Sequence, residues 1–306
     1  MRIVVVGAGG VGGYFGGRLA RAGEAVTLVA RGAHLEAIRR EGLRVRSAIE
    51  GEWVARPEAV AEVNGLPPAD AVLLCVKAFD TEPALTGVRP VVGPETAVLT
   101  LQNGIDNVEK IDALLGAGHA LGGAAYVFAT LDGPGVVAHR FAGRIALGEL
   151  DGVPRARTER LRDAFARARV PVELSTAIHR VMWEKYLFIC AQAGMTALAR
   201  APSGVLRQHP ATWRMYRTIV EELAAVGRAA GVDLPGDVVD TIMAAAASLG
   251  ADTFSSLHHD LVEGRRLELE ALHGHAARLG ERLGVPTPTV AAVYAALRPH
   301  ADGRPR

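Results

Sequence analysis

The sequence predicts an α/β chain in which a doubly wound parallel sheet is followed by an all-helical C-terminal domain. Three observations carry this. Short apolar, β-branched runs alternate with helical stretches through the first half. A glycine-rich turn joins the first run to the first helix. From about Thr176 the strand signal gives way to amphipathic helix.

Residues 3–6 form a β-branched run of the kind buried in a parallel strand. They lead into Gly7, Ala8, Gly9, Gly10, Val11 and Gly12, a G-x-G-x-x-G pattern, and residues 14–19 open a helix. Strand, glycine turn and helix in this order make a Rossmann-type dinucleotide fingerprint. Gly7 serves the tight turn, Gly9 the close approach of a pyrophosphate, and Gly12 the packing of helix on strand. The helix N-terminus offers unpaired N–H groups and positive potential to phosphate.

The second strand, 25–30, ends at Arg31. Sites for NAD carry an acid about 20 residues beyond the glycines, to bind the ribose 2′-hydroxyl. Here no acid occurs after the strand until Glu36. A guanidinium fork suits a 2′-phosphate, so the expected cofactor is NADP(H). A solvated surface arginine is the plainer reading of Arg31.

A short helix follows over 35–40, and 43–47 with 52–56 read as a polar hairpin. Buried strands are expected at 71–76 and 97–101, with a helix starting at Thr81 between them. Short strands punctuated by glycines are expected at 121–130, 136–139 and 145–147. The joint falls at 170–175, where Pro171 interrupts and Ser175 or Thr176 can cap the next helix. The expected domains are therefore 1–175, binding the dinucleotide, and 176–306, helical and substrate-binding. In the second, Trp213, Tyr216, Ile219, Val220 and Leu223 recur at helical spacing, as do Leu272, Ala276, Leu279 and Leu283. These stripes are core. The segment 299–306 is short and polar, and is expected to fray.

Composition narrows the class. The chain has 306 residues, 49% hydrophobic and 22% charged, with a formal net charge of +1. That balance implies no basic face for nucleic acid or anionic membrane. Cys75 and Cys190 lie in apolar runs and read as reduced core thiols. No apolar stretch reaches spanning length and the chain opens on a strand, so a cytoplasmic protein is expected. The expected partner is a small-molecule substrate, with a homodimer as a candidate assembly.

Chemistry in the helical half centres on two charged positions. A helix over 178–198 carries Val181-Met-Trp-Glu-Lys-Tyr-Leu-Phe-Ile-Cys190. Glu184 has Arg180 one turn earlier as a local partner. Lys185 instead faces Val181, Met182, Phe188 and Ile189, where desolvation lowers an ammonium's pKa toward a range useful for proton transfer. Snorkelling to the surface is the alternative. In Leu267-Glu-Leu-Glu270, Glu268 shares a face with Ala271 and Leu272, whereas Glu270 looks toward Arg266 and His273. Glu268 is the natural partner for a buried cation.

In the first half Lys77 and Asn103 follow strands, where ligands of such sheets bind. His258, His259, His273 and His275 lack companions at metal-ligand spacing, so no metal is expected. No serine or cysteine stands in a nucleophile-elbow or triad-like context.

Taken together, Gly7-Ala-Gly-Gly-Val-Gly12, Arg31, Val76-Lys77, Asn103-Gly104, Trp183-Glu-Lys185, Ser255-Ser256 and Leu267-Glu268 resemble the ketopantoate reductase (2-dehydropantoate 2-reductase) family. The resemblance covers nearly the whole chain. It implies Lys185 as the acid that protonates the substrate carbonyl oxygen, and Glu268 as a second catalytic or substrate-orienting residue. It implies Ser256 on the substrate carboxylate, and Lys77 and Asn103 on the cofactor, Asn103 also reaching the substrate side. The family's asparagines four and eight residues after the lysine are here Ile189 and Ala193, and a third is Ser203. Losing buried amides changes which substrate fits. The activity implied is NADPH-dependent reduction of a 2-oxo acid, ketopantoate first, as in pantothenate biosynthesis. A reductase of another ketone or an imine, and a catalytically inactive NADPH-binding sensor, are the alternatives.

Overall fold

In the computed structural model, which describes residues 1–305, the apolar run predicted at the N-terminus is β1 (Arg2–Val6). It lies in the interior of the sheet, flanked on both sides, and a strand buried on both faces has to be apolar, as Ile3 to Val6 are. α1 (Gly10–Arg21), β2 (Ala25–Val29) and α2 (Gly32–Glu41) follow. Next come the hairpin β3 (Leu43–Ser47) and β4 (Gly51–Ala55), the short β5 (Glu58–Val60), β6 (Ala71–Leu74), α3 (Thr81–Val88) and β7 (Ala97–Thr100). α4 (Asn107–Leu115), β8 (Ala120–Leu131), β9 (Val136–Gly148), α5 (Ala156–Arg167) and β10 (Val172–Leu174) complete this part.

The sheet runs β4-β3-β9-β8-β7-β6-β1-β2-β5, with β10 beside β9. From β5 to β8 every pairing is parallel. β9 is antiparallel to β8, and β4 is antiparallel to β3. The sheet is thus mixed, with a parallel half that carries the glycine turn. Ile3, Val5, Phe15, Leu28, Leu73 and Leu99 belong to its buried core.

Several expectations change here. The short strands expected within 121–147 are two long ones, of 12 and 13 residues, paired along their lengths with irregularities near Tyr126 and Phe128. The hairpin at 43–55 is only half polar, since Leu43, Val45, Trp53 and Ala55 are buried. α4, α5, β5 and β10 were not anticipated.

The helical part consists of α6 (Ile178–Ala199), α7 (Ser203–Gln208), α8 (Pro210–Ala229), α9 (Val238–Ala247), α10 (Ser256–Val262), α11 (His275–Leu283) and α12 (Pro288–Leu297). A π-helical turn, Glu270–Gly274, runs directly into α11. Tyr216, Ile219, Val220 and Leu223 are buried on α8 as their spacing predicts. The compact units divide between Val181 and Met182, with 103–105 counted in the second, and not at 175/176. Helix α6 begins packed on the sheet, where a side chain at Gly148 would sit 3.1 Å from Ile178 Cβ. The segment expected to fray is ordered through residue 303: Ala301 is buried, its carbonyl accepts from Leu267 N at 2.9 Å, and Gly303 N donates to His300 O. Arg306 lies outside the described residues.

Candidate active site

In the sheet unit the glycines divide their work as their positions require. Gly7 has φ +95°, and a Cβ there would lie 2.7 Å from Val76 N. Gly12 is closed by its own fold, because a Cβ would meet Gly7 O at 2.1 Å and Cys75 Cβ at 2.9 Å. Gly9 is different: nothing lies within 4 Å of where its Cβ would be. At the turn, that open position leaves the backbone free for the close approach of a ligand. It is also the N-cap of α1, and no side chain caps that end. Space, a turn and an uncapped helix N-terminus fit a dinucleotide pyrophosphate.

Arg31 is exposed at the end of β2, where it is the N-cap of α2. Lys77 is half-buried directly after β6, and Asn103 follows β7 in the strand-end loop where Gly104 has φ +98°. Two residues that sequence reasoning did not single out hold these loops. His34 Nε2 donates to Ala8 O at 2.8 Å while its Nδ1 accepts from Gly135 N at 2.9 Å, which fixes one neutral tautomer. Gln102, buried, donates from Nε2 to Val76 O at 3.0 Å and to Thr81 Oγ1 at 2.8 Å, securing the segment around Lys77.

In the helical unit α6 presents Lys185, a half-buried ammonium in a mostly apolar run. Burial brings its pKa down to about 8, and the charge of Glu268 limits the fall. Glu268 is 6% exposed, so this carboxylate is also taken out of water beside the ammonium. Buried opposite charges persist where they are compensated, and they are where tuned proton transfer is found. The structure therefore brings together the two residues singled out from sequence, on segments far apart in the chain.

Backbone carbonyls lock those segments. Tyr186 Oη, next to Lys185, donates to Leu272 O at 2.6 Å. His273 Nε2 donates to Cys190 O at 2.9 Å, and Gly194 makes room, since a Cβ there would lie 2.5 Å from that nitrogen. Burial pushes the His273 pKa down to about 4, so the ring is neutral and acts as a tie. In the π-turn, Gly274 N donates to Leu269 O at 2.9 Å, the i to i−5 pattern that sets the direction of the Glu268 segment. Glu270 is not directed as spacing suggested. Its carboxylate accepts from Tyr294 Oη at 2.7 Å and Arg278 Nη1 at 2.8 Å, with Arg298 alongside.

Further along α6, Gln192 Nε2 donates to Ser203 Oγ at 2.8 Å, which in turn donates to Thr253 O at 3.0 Å. Thr196 Oγ1 and Ser255 Oγ are 2.7 Å apart. Ser255 caps α10 by accepting from His258 N, and Ser256 is exposed at the first position of that helix. Ile189 is half-buried and Ala193 is buried, so neither replaces the amides of the resembling family. Both cysteines are free thiols, and burial pushes both pKa values up. Among the described residues no group of three or more His, Cys, Asp or Glu side chains is placed for a metal. Nor is any helix long and apolar enough to cross a membrane.

Comparison with known proteins follows this geometry. The family profile "Ketopantoate reductase PanE/ApbA" matches residues 3–152, and its C-terminal counterpart matches residues 177–301. A 2-dehydropantoate 2-reductase of Mesorhizobium japonicum is 32% identical, covering 97% of each chain. The crystal structure of a PanE/ApbA family ketopantoate reductase from Ralstonia eutropha JMP134 superposes with a TM-score of 0.90 at 34% identity over 98% of each chain. A ternary structure of D-mandelate dehydrogenase with NADH and anilino(oxo)acetate gives 0.91 at 25% identity, again over 98% of each chain.

Proposed function

The chain belongs to the ketopantoate reductase PanE/ApbA family, and from that premise we propose that it reduces a 2-oxo acid to the 2-hydroxy acid with NADPH, Lys185 giving the proton. An oxidoreductase that takes a nicotinamide dinucleotide is the coarser statement, and the family supports it directly. The finer reading rests on one observation above the others: a partly desolvated ammonium held beside a buried carboxylate.

A dinucleotide held at the glycine turn would supply the hydride for the carbonyl carbon. The rest is done by this chain. Gly7, Ala8, Gly9, Gly10, Val11 and Gly12 receive the pyrophosphate, and Lys77 and Asn103 flank the cofactor from the strand ends. Arg31 pairs with a 2′-phosphate, which is the ground for NADPH over NADH. Lys185 Nζ donates a hydrogen bond to the carbonyl oxygen, stabilises the charge that develops there, and passes its proton to it. A pKa of about 8 suits the task, since the group is still charged at neutral pH yet gives up its proton readily. Glu268 keeps the ammonium charged and orients it. Ser256 and Asn103 bind substrate, Ser256 on the carboxylate. A substrate panel followed by loss of NADPH absorbance tests this, and no 2-oxo acid turning over in the panel would defeat it.

Ketopantoate is the first substrate to try. A second reading, an oxo acid with a bulkier or less polar side chain, is favoured by Ile189, Ala193 and the engagement of Ser203 with Gln192 and Thr253. An apolar pocket wall gives up the amide contacts that a hydroxylated substrate needs. Steady-state kinetics with ketopantoate and phenylglyoxylate separate the readings. A micromolar KM for ketopantoate with no better substrate eliminates the second.

A further inference from the structure

Away from the glycine turn, the sheet unit contains a cavity of about 650 Å³ lined by Arg18, Arg21, Ala22, Glu50, Arg167, Ala168 and Arg169. Positive charge dominates that lining. Its one carboxylate, Glu50, is already paired with Arg18 Nη1. Arg18 is 7% exposed, and its Nη2 donates to Arg169 O at 2.6 Å. Its Nε is buried with no hydrogen-bond partner. Arg167 pairs with Glu24 outside the lining, at 2.6 Å. Arg21 rests over the Trp53 ring at 4.7 Å, and Arg169 is exposed on a strained turn with φ 56°. Among the described residues neither Arg21 nor Arg169 has a carboxylate within ion-pair distance.

Three of these cations have a structural explanation, Arg167 among them, since it stands in the last turn of α5 and pairs with Glu24. Arg18 and Arg21 stand in the last turn of α1, where positive charge offsets the negative end of the helix. That does not account for Arg169 lining the same cavity, nor for two guanidiniums, those of Arg21 and Arg169, that stand there with no carboxylate in ion-pair distance among the described residues. Planar guanidinium forks match phosphate oxygens two at a time. The volume is in the range of small-molecule sites. The cavity lies at the C-terminal end of α1, where Arg18 and Arg21 stand eight and eleven residues beyond Gly10, about 12–17 Å along the helix from the glycine turn.

We propose that this arginine cavity is a second anion site, built for a small phosphate-class polyanion such as a phosphorylated metabolite and separate from the dinucleotide phosphates. The probe is inorganic pyrophosphate, titrated calorimetrically into the full chain with NADPH present to occupy the glycine turn. The variant R21Q/R169G leaves Arg18 and its structural bonds in place, and glycine accepts the φ of position 169. Saturable one-to-one binding is expected, weaker by about tenfold or more for each guanidinium removed. It should also weaken as potassium chloride is raised. Trp53 fluorescence gives a second readout, because the ligand draws Arg21 away from the indole. Three results would overturn the proposal: no saturation, equal affinity in the variant, or tighter binding of citrate than of pyrophosphate. The variant locates the site independently of the reductase reading, since its outcome does not depend on turnover.

Discussion

The glycine turn of the sheet unit and the Lys185–Glu268 site of the helical unit are built on opposite principles. The first works by what is missing: Gly9 is open, Gly7 is turned to φ +95°, and α1 is left uncapped. The second works by what is buried, an ammonium and a carboxylate held by ties to backbone carbonyls. A site of absences is written in a contiguous stretch of sequence. A site of buried charges exists only once the chain has folded. Substitutions should therefore separate them cleanly, the one losing affinity and the other losing rate.

The largest separation comes from Lys185→Ala. Removing a positioned general acid should lower kcat by ~10²–10⁴-fold, with the NADPH Kd almost unchanged. Lys185→Gln, which keeps a donor with no proton to give, should fall between. Single-turnover rates and cofactor titration on protein checked by circular dichroism measure both. Wild-type turnover in Lys185→Ala would mean that the ammonium only snorkels.

Two of the glycines, Gly9 and Gly12, sharpen the comparison within the turn itself. Gly12→Ala places a Cβ 2.1 Å from Gly7 O, so backbone has to move, and a loss of roughly 1–3 kcal/mol in stability is expected. Gly9→Ala meets nothing and should keep the wild-type Tm while weakening NADPH. Thermal melts with and without cofactor decide it. Equal Tm losses for the two would break the distinction between a fold glycine and a ligand glycine.

Arg31→Ala follows in size. Loss of charge-assisted bonds to a 2′-phosphate, worth ~1.5–3 kcal/mol, should weaken NADPH roughly ten- to a hundredfold and leave NADH nearly as before. Parallel losses for both cofactors in a titration would remove the assignment.

The smallest effect is in pH dependence. On the proposed mechanism Lys185 acts as the ammonium, so kcat should fall as pH rises through about 8. Glu268 is the cause that raises this pKa, and Glu268→Gln should move the alkaline limb to lower pH. The linkage to folding has the opposite sense. The folded-state pKa lies below the ordinary lysine value of 10.5, so the folded chain holds fewer protons between about 8 and that value, and Lys185 adds stability as pH climbs through this window. A kcat–pH profile of Glu268→Gln that overlays wild type would uncouple the pair.

The same contrast explains what could be read in advance. The strand, turn and helix at the N-terminus, Arg31 at the end of β2, and the apolar stripe of α8 all follow local periodicity and came out where expected. β8 and β9 were read as fragments because their glycines look like turn residues. In the structure Gly123 and Gly148 are close-packing positions inside long strands, where a Cβ would meet Thr100 O at 2.3 Å and Ser175 O at 2.2 Å. Glycine in a strand signals either a bend or a near neighbour, and sequence alone does not say which. Lys185 and Glu268 were legible as misplaced charges, their partnership only as an inference. His34, Gln102 and Tyr186 carried no signal, because what they bind is backbone, and a carbonyl has no residue identity to match. Glu270 pairs with Arg278, Tyr294 and Arg298, residues too far along the chain for helical spacing to point to.

That π-turn makes the reading frame of the helix a catalytic variable. A π-turn is an α-helix carrying one residue too many, and each residue of a regular helix advances it by about 100°. Deleting Ala271 alone would let 270–283 anneal into ordinary helix while rotating everything upstream by that angle. The chain would keep its helicity and lose the carboxylate from the side of Lys185. Full circular dichroism amplitude with collapsed turnover in that deletion is the expected signature. On the proposed mechanism, the deletion chain would be folded and yet slow to react, because Glu268 would no longer face Lys185.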